Sequence, residues 1–166
     1  FDSHSDGVLA LQMFNGTQQL VAWGRNSFNQ LGVGDIAVVT DPTAVDITPL
    51  QLSPYQLIDA VVSYDFSLLL SADGRVFGAG SSDAKQLGSV GTEGSSLFAE
   101  VTGLPLAAGV SVSGDTALVL TRDGDLLVWG NCTVQEKCDA VTSVPTDAPW
   151  LVPSAEGLLD GAYATQ

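Results

Sequence analysis

The chain has 166 residues, 45% of them hydrophobic and only 14% charged, so it can bury one domain-sized core and is neither disordered nor a coiled coil. Nineteen acidic residues against five basic ones give a formal net charge of −14, which makes nucleic acid and anionic membrane surfaces poor partners. The 18 glycines and seven prolines favour turns and short elements over long helices. No stretch predicts a membrane-spanning helix, and no membrane insertion is expected.

The strongest feature of the sequence is internal similarity. Segment 62–80 matches the segment 50 positions later at eight of its 19 positions without a gap. A weaker copy lies upstream, around the apolar segments 8–11 and 21–24. The predicted repeats cover 7–56, 57–106 and 107–157 within one repeat region over 1–166, and 158–166 is expected to begin a next unit.

Each repeat predicts a β-hairpin. The turns are Asn15-Gly16, Asp73-Gly74 and Asp123-Gly124, dipeptides that are typical of type I′ turns. The apolar runs beside the turns suit strands that are buried on both faces. In chain order these runs are 8–11, 21–24, 66–70, 76–77, 117–120 and 126–129. Further strands are predicted over 43–47, 57–63, 97–101, 108–113, 150–152 and 158–164, which makes four per repeat, as in a β-propeller blade.

Segment 20–35 carries the pattern Trp-Gly-x-Asn-x-x-x-Gln-Leu-Gly-x-Gly-Asp and resembles the repeat of the regulator of chromosome condensation family. Segments 67–80 and 117–130 resemble the same repeat. The resemblance implies an all-β fold: a partial seven-bladed-type β-propeller with about three four-stranded blades of antiparallel sheet. The sequence departs from the family pattern at Ala79, where tryptophan is usual, and at Cys138, where the glycine of Gln-Leu-Gly would stand.

Position within the repeat predicts how the blades pack. Trp23 and Trp129 occupy the same place in their repeats, so packing between blades is favoured over ligand stacking, while the role of Trp150 is open. The glycines that close the hairpins are assigned to the same inter-blade packing: Gly24, Gly80 and Gly130. Three stacked blades leave two end faces exposed. We therefore expect the missing blades of the same chain, or other protein chains, to cover them.

Two cysteines and two asparagines bear on the cellular setting. Cys132 and Cys138 lie in one predicted loop, and a disulfide between them is favoured over free thiols or a redox pair. Zinc is disfavoured, because two thiolates and the distant His4 do not supply four ligands. Asn15 and Asn131 lie in N-glycosylation sequons, although Asn15 also suits a hairpin turn. Together these features favour an extracellular or secreted setting, with a cytoplasmic one as the alternative.

Residues for catalysis do not form a coherent set in the sequence. His4 is the single histidine, no carboxylate pair stands out, and no phosphate-binding glycine loop occurs. We therefore predict no enzyme activity, no cofactor and no metal. The basic residues are scattered, so no nucleic-acid partner is predicted either.

The predicted function is a structural or protein–protein interaction module in a larger assembly. Segments 34–55 and 89–98 are expected to carry the contacts, and a basic partner surface would suit the charge. Two alternatives stay open. The family resemblance implies a guanine-nucleotide exchange factor for a small GTPase, and a secreted enzyme inhibitor is the other possibility.

Overall fold

Three antiparallel sheets follow one another along the chain in the computed structural model, which describes residues 7–52, 56–90 and 93–131 and the backbone of 150–152. The first sheet contains β1 Gly7–Phe14, β2 Thr17–Arg25 and β3 Val38–Ala44. The second contains β4 Leu57–Val62, β5 Phe66–Ser71, β6 Val76–Gly80 and β7 Ser95–Glu100. The third contains β8 Ala107–Ser113, β9 Thr116–Thr121, β10 Leu126–Gly130 and β11 Trp150–Val152. Short 3-10 turns occur at Thr48–Leu50 and Gly88–Val90.

Within each sheet the strands pair in chain order, as they do in a propeller blade. This confirms the all-β, antiparallel fold class. The first sheet has three strands among the described residues, against the four expected. Its outer strand β3 begins earlier than the predicted 43–47, because Val38 and Val39 already pair with β2 on the far side of a β-bulge. The strand predicted over 158–164 lies outside the described residues.

The hairpin turns are of two kinds. Asn15 and Gly16 both have positive φ, 50° and 76°, as a type I′ turn requires. The type I′ prediction is wrong for the other two turns, where among the described turn residues only Gly74 and Gly124 have positive φ. Their loops are one residue longer: in the second sheet the Gly74 amide donates to the Ser71 carbonyl at 2.9 Å, and the Ser71 amide donates to the Arg75 carbonyl at 3.0 Å. This is a type I turn followed by a glycine bulge.

Two apolar cores lie between neighbouring sheets. All six residues of β5 are buried, because the second sheet is covered on both faces, which confirms the prediction for this strand. Since successive side chains of a strand point to opposite faces, Leu69 packs in the first core while Leu68 and Leu70 pack in the second. The first core joins sheets one and two, and its members include Leu20, Ala22, Leu31, Phe77 and Ala79. The second joins sheets two and three, and its members include Val76, Leu87, Ala117, Val119, Leu127 and Trp129.

Candidate functional site

The loops that follow β2 and β6 lie at the same end of the sheets as the turn between β4 and β5. Gly80, the last residue of β6, pairs with Phe66, the first residue of β5. The next amide, that of Ser81, donates to the carbonyl of Asp65 in the turn at 2.8 Å. We call this end of the sheets the loop end. Its side chains are held by a rigid frame, which is the usual arrangement of a binding surface on a β scaffold.

The glycines that close each hairpin have left-handed backbone angles. Their φ values are 100° at Gly24, 116° at Gly80 and 100° at Gly130. A Cβ at Gly80 would lie 2.6 Å from the Cα of Phe66 and closer still to the carbonyl oxygen of Asp65. At Gly80 these nearest neighbours belong to the same sheet. The assignment of Gly24, Gly80 and Gly130 to packing between blades stays a prediction. The strand turns at Gly80, and this places the amide of Ser81 within hydrogen-bonding distance of the turn between β4 and β5.

Each loop places one leucine between its own sheet and the next. Leu31 and Leu87 are fully buried, the first in the core between sheets one and two and the second in the core between sheets two and three. The glycine after Leu31 is required by space as well as by backbone angle, because a Cβ at Gly32 would overlap the ring of Phe98. The recurring Gln-Leu-Gly triplet therefore acts as an anchor between blades.

The carbonyl of the glutamine before each of these leucines accepts a hydrogen bond from the following sheet. The Trp129 Nε1 donates to the carbonyl of Gln86 at 2.8 Å. At the preceding boundary the hydroxyl of Ser67 donates to the carbonyl of Gln30. Ser67 pairs across the sheet with Ala79, which occupies the tryptophan position. The loss of tryptophan at Ala79 is therefore compensated by a serine on the neighbouring strand, which supplies the same donor from a smaller side chain.

Removing either donor should leave a buried carbonyl unpaired. We expect Ser67→Ala and Trp129→Phe each to lower the free energy of unfolding by about 1–3 kcal/mol. Denaturant unfolding monitored by circular dichroism measures both changes. Ser113→Ala, at an exposed strand position, serves as the control. Equal stability of Ser67→Ala and this control would show that the Gln30 carbonyl does not need the serine.

The loop after β2 is organised around one buried amide side chain. The Nδ2 of Asn26 donates to the carbonyls of Gly34 at 3.1 Å and Ile36 at 2.7 Å. Its Oδ1 accepts from the amide of Leu31 at 2.7 Å. In the second sheet Ser82 takes the equivalent position, and its buried hydroxyl has no partner among the described residues. The first loop is therefore tied together by a side chain that the second loop lacks.

A cleft of about 400 Å³ opens at the loop end between the first and second sheets. Its lining residues include the carboxylates of Asp35, Asp83 and Glu93 and no basic side chain. The remaining lining residues are Phe28, Asn29, Gly80, Ser81, Gly94, Ser95 and Ser96. Since all three carboxylates are also exposed to solvent, the cleft presents negative charge and hydrogen-bond acceptors.

An aromatic pair borders the cleft. The rings of Phe28 and Tyr64 are tilted, with their centroids 5.4 Å apart, and are 36% and 41% exposed as residues. The guanidinium of Arg25 lies 4.8 Å from the Tyr64 ring centroid and 5.9 Å from that of Phe28, distances that allow cation–π attraction. The backbone of Tyr64 is fixed to the first loop, because the Nε2 of Gln30 donates to its carbonyl at 2.9 Å.

Asp65 is a buried carboxyl beneath this surface. Its Oδ2 accepts from the Nε2 of Gln86 at 2.8 Å, whereas its Oδ1 has no partner among the described residues. Burial raises the pKa of the Asp65 carboxyl, and the carboxylate of Asp115 raises it further. The hydrogen bond from Gln86 opposes this change without cancelling it.

The raised pKa of Asp65 gives a pH dependence of stability with a definite sign. A carboxyl that binds its proton more tightly in the folded state adds stability below its ordinary pKa, and this stability is lost as the pH rises through the raised value. We expect Asp65→Asn, which mimics the neutral form, to stabilise the fold by about 1 kcal/mol near neutral pH and by less in acid. The melting temperatures of the parent protein and of Asp65→Asn, measured from acid to neutral pH, test the effect.

Asp73 provides a control of opposite sign. The hydroxyl of Ser71 and the side chain of Arg75 hold the pKa of the Asp73 carboxyl below its ordinary value. The stability from Asp73 is therefore present above its ordinary pKa and is lost as the pH falls through the lowered value. Asp73→Asn should destabilise the fold at neutral pH, with a smaller effect in acid. Parallel pH profiles for Asp65→Asn and Asp73→Asn would contradict both assignments.

The structure does not bring the residues singled out in the sequence together at one site. Asn15 is exposed at the tip of the first hairpin, opposite the loop end. Asn131 is exposed after β10, where its Nδ2 donates to the Asp115 carboxylate at 3.3 Å. Trp129 is buried between sheets two and three, whereas Trp23 is half-buried on the face of the first sheet that points away from the second. Cys132, Cys138 and His4 lie outside the described residues, and of Trp150 only the backbone is described.

The aromatic pair, the acidic cleft and the role of Asn26 were not predicted from the sequence. Arg25 and Tyr64 are 39 positions apart, and the carboxylates of the cleft come from two repeats. Only Asn26 left a signal, since it is the asparagine of the quoted repeat pattern. Within the described ranges, no group of three or more metal-binding side chains is found, and no helix is long and apolar enough to cross a membrane.

No family model matches the sequence. The X-linked retinitis pigmentosa GTPase regulator of the dog, Canis lupus familiaris, is 32% identical over 133 residues, which cover 78% of this chain and 13% of that protein. The human protein of the same name is 29% identical over 133 residues, covering 78% of this chain and 12% of that protein. The chain thus spans only a small part of these relatives.

Solved structures share the fold. Prp20p from Saccharomyces cerevisiae superimposes with a TM-score of 0.72 at 19% identity, over 93% of this chain and 38% of that one. Human WBSCR16 gives a TM-score of 0.70 at 22% identity, over 89% of this chain and 36% of that one. A second structure, of yeast RCC1 (Prp20) bound by Kap60, gives 0.71 at 22% identity, over 93% of this chain and 36% of that one. These similarities confirm the resemblance carried by the repeats: the chain is built of β-propeller repeats of the regulator of chromosome condensation family.

Proposed function

We propose that the chain is a non-catalytic β-propeller segment that serves as a structural and protein–protein interaction module, with the loop end as its contact surface. The observation that carries the proposal is the exposed pair Phe28 and Tyr64, which is held on a hydrogen-bonded frame beside a cleft. Aromatic and arginine side chains contribute most of the binding energy in many protein interfaces. The loops around the pair are tied down in advance, so little ordering would oppose binding.

The similar structures support a role in binding proteins. The structure of Prp20p is described together with its binding to Gsp1p and histones, and yeast RCC1 (Prp20) has been seen with Kap60 bound. The strong negative charge of this chain suits a partner with a basic surface.

The outer faces of the end sheets support a second set of contacts, with further blades of the same chain or with another chain. Leu120 and Leu126 of the third sheet are 45% and 36% exposed. The repeat-equivalent residues of the second sheet, Leu70 and Val76, are 1% exposed because the third sheet covers them. Exposed apolar side chains on a sheet face are stabilised when another element packs on them.

The contact surface can be tested by photocrosslinking in cells. Benzoylphenylalanine placed at position 28 should crosslink a protein partner, whereas the same residue at position 123, in the hairpin at the opposite end of the third sheet, should not. Crosslinking from position 123 alone, or from neither position, would overturn the proposed surface. Circular dichroism of both variants establishes that they are folded.

An extracellular or secreted setting is part of the proposal, with the cytoplasm as its alternative. It is supported by the exposure of both sequon asparagines, Asn15 and Asn131. The intact mass of the native protein, with and without glycosidase and reductant, tests it. A glycan together with a disulfide between Cys132 and Cys138 is expected. An unmodified protein with two free thiols would favour the cytoplasm.

Regulation of a small GTPase is the second candidate, and the name of the curated relatives, GTPase regulator, favours it. Release of a fluorescent guanine nucleotide from a Ran-type GTPase, with and without the chain, measures this activity. An acceleration abolished by Phe28→Ala would assign both the activity and its surface. Unchanged release would leave the non-catalytic interaction module as the function.

A further inference from the structure

The first hairpin extends further than the second at the end opposite the loop end. Counted from the pair of residues that closes each hairpin, the end of β5 at Ser71 corresponds to Gln12 of β1. β1 continues past this position to Phe14 and stays paired with β2 up to the turn. Residues 13–17, which we call the hairpin tip, therefore project beyond the level at which the second hairpin turns.

The hairpin tip is apolar, uncharged and exposed. Met13 and Phe14 are 58% and 56% exposed, and segment 7–24 contains no charged residue in a chain with 19 acidic and five basic ones. Met13 points to the same face as Leu9 and Leu11, the face that the second sheet covers, and yet it is as exposed as Phe14 on the other face. A sheet packed on either face therefore leaves the tip uncovered.

The turn places a phenyl ring beside a glycosylation sequon. Asn15 and Gly16 form the type I′ turn, and Phe14 pairs with Thr17 across it. Paired residues of a hairpin place their side chains on the same face, so the ring lies next to the threonine whose hydroxyl completes the sequon. Both Asn15 and Thr17 are exposed. A fixed backbone thus holds an aromatic platform directly before the asparagine.

We infer that Asn15 carries an N-linked glycan whose first N-acetylglucosamine packs on the ring of Phe14. The face of an aromatic ring carries partial negative charge and attracts the polarised C–H bonds of a sugar ring. A glycan is uncharged and hydrophilic, so it suits a tip that has exposed apolar side chains and no charge of its own. The inference deepens the proposed function and rests on its secreted setting.

The attachment itself needs a lipid-diphosphate-linked oligosaccharide as co-substrate, from the secretory machinery of the host. The Nδ2 of Asn15 bonds to the anomeric carbon of the first sugar, the bond from that carbon to the diphosphate oxygen breaks, and the nitrogen loses one proton. The lipid diphosphate leaves. Asn15 is better placed to be modified than Asn131, whose Nδ2 donates to the carboxylate of Asp115.

The full chain made in a secreting eukaryotic host and in bacteria supplies the glycosylated and the bare protein for comparison. Thr133→Ala in both leaves Asn15 as the one sequon in the sequence, and reductant keeps the cysteines in the same state. The glycan should raise the melting temperature by about 2–4 °C. Phe14→Ala should remove most of this rise, and Phe14→Tyr should keep it. An endoglycosidase that leaves only the first sugar should not change it.

Met13→Ala is the matched control, because Met13 is the neighbouring exposed apolar residue and lies on the opposite face of the hairpin. It should keep the full rise. In two-dimensional NMR of the glycosylated chain, protons of the first sugar should show nuclear Overhauser contacts to the Phe14 ring and upfield shifts. An unmodified Asn15 in the secreted protein, or a rise that Phe14→Ala and Met13→Ala reduce equally, would overturn the inference.

A membrane is the other surface that an apolar tip could meet. Binding of the bare chain to vesicles of phosphatidylcholine, lost in Phe14→Ala, would assign the tip to lipid and overturn the inference.

The inference and the proposed setting can fail separately. If the native protein carries a glycan at Asn15 but Phe14→Ala does not alter its effect, the secreted setting stands and the contact between sugar and ring is wrong. If the recombinant glycoprotein shows the contact but the native protein is unmodified, the setting is wrong, and the occupancy of Asn15 with it. Crosslinking from position 28 is independent of both results.

Discussion

Gly80→Ala should lower the free energy of unfolding by more than about 3 kcal/mol, a loss large enough to unfold many domains of this size. The φ of 116° at Gly80 is strained for any residue with a Cβ. The added methyl would also overlap the backbone of Asp65 and Phe66, which cannot move without breaking the pairing of β5 with β6. Thermal and denaturant unfolding of the purified variant measure the loss.

Gly124→Ala separates these two causes. Gly124 has a φ of 95°, and nothing lies within 4 Å of the place where its Cβ would stand. This variant should therefore lose only the strain of the backbone angle, about 1–2 kcal/mol. If Gly80→Ala and Gly124→Ala were equally destabilised, the close approach to the Asp65 turn would have no energetic role, and the explanation of the closing glycines would be wrong.

The repeats made much of the fold predictable from sequence. A short apolar run next to Asp-Gly or Asn-Gly is a local pattern, and local patterns determine hairpins. The strands around Gly74 and Gly124 were therefore found to within a few residues. Their turn type was not, because the Ser71 and Thr121 backbones close a loop one residue longer than the dipeptide alone suggests.

The contacts between blades were less predictable, because they depend on residues from different repeats. The sequence shows that position 79, the equivalent of Trp129, has no tryptophan. It does not show that the hydrogen bond is donated instead by Ser67, on another strand. Likewise, Arg25 and Tyr64 come together only after the first two sheets have packed. Composition predicted the sign of the charge, whereas the grouping of Asp35, Asp83 and Glu93 around one cleft follows from which loops share an end of the sheets.

Asn26→Ala should destabilise the fold by about 2–4 kcal/mol and loosen the loop that carries Phe28 and Asp35. The change removes three hydrogen bonds and leaves the Leu31 amide and the Ile36 carbonyl without their partner, whereas the Gly34 carbonyl still accepts from the amide of Ile36 at 2.8 Å. Hydrogen exchange should accelerate first at the amide of Leu31.

Ser113→Ala, at an exposed strand position of the third sheet, is the control for this last prediction. It should leave the exchange rate at the Leu31 amide unchanged. Asn26→Asp keeps one of the three hydrogen bonds and removes two, because a carboxylate can still accept from the Leu31 amide but cannot donate to either carbonyl. A variant as stable as the parent would show that the acceptor bond alone holds the loop. A loss equal to that of Asn26→Ala would show that the bond from the Leu31 amide, accepted by a buried carboxylate that faces two carbonyl oxygens, does not hold the loop by itself.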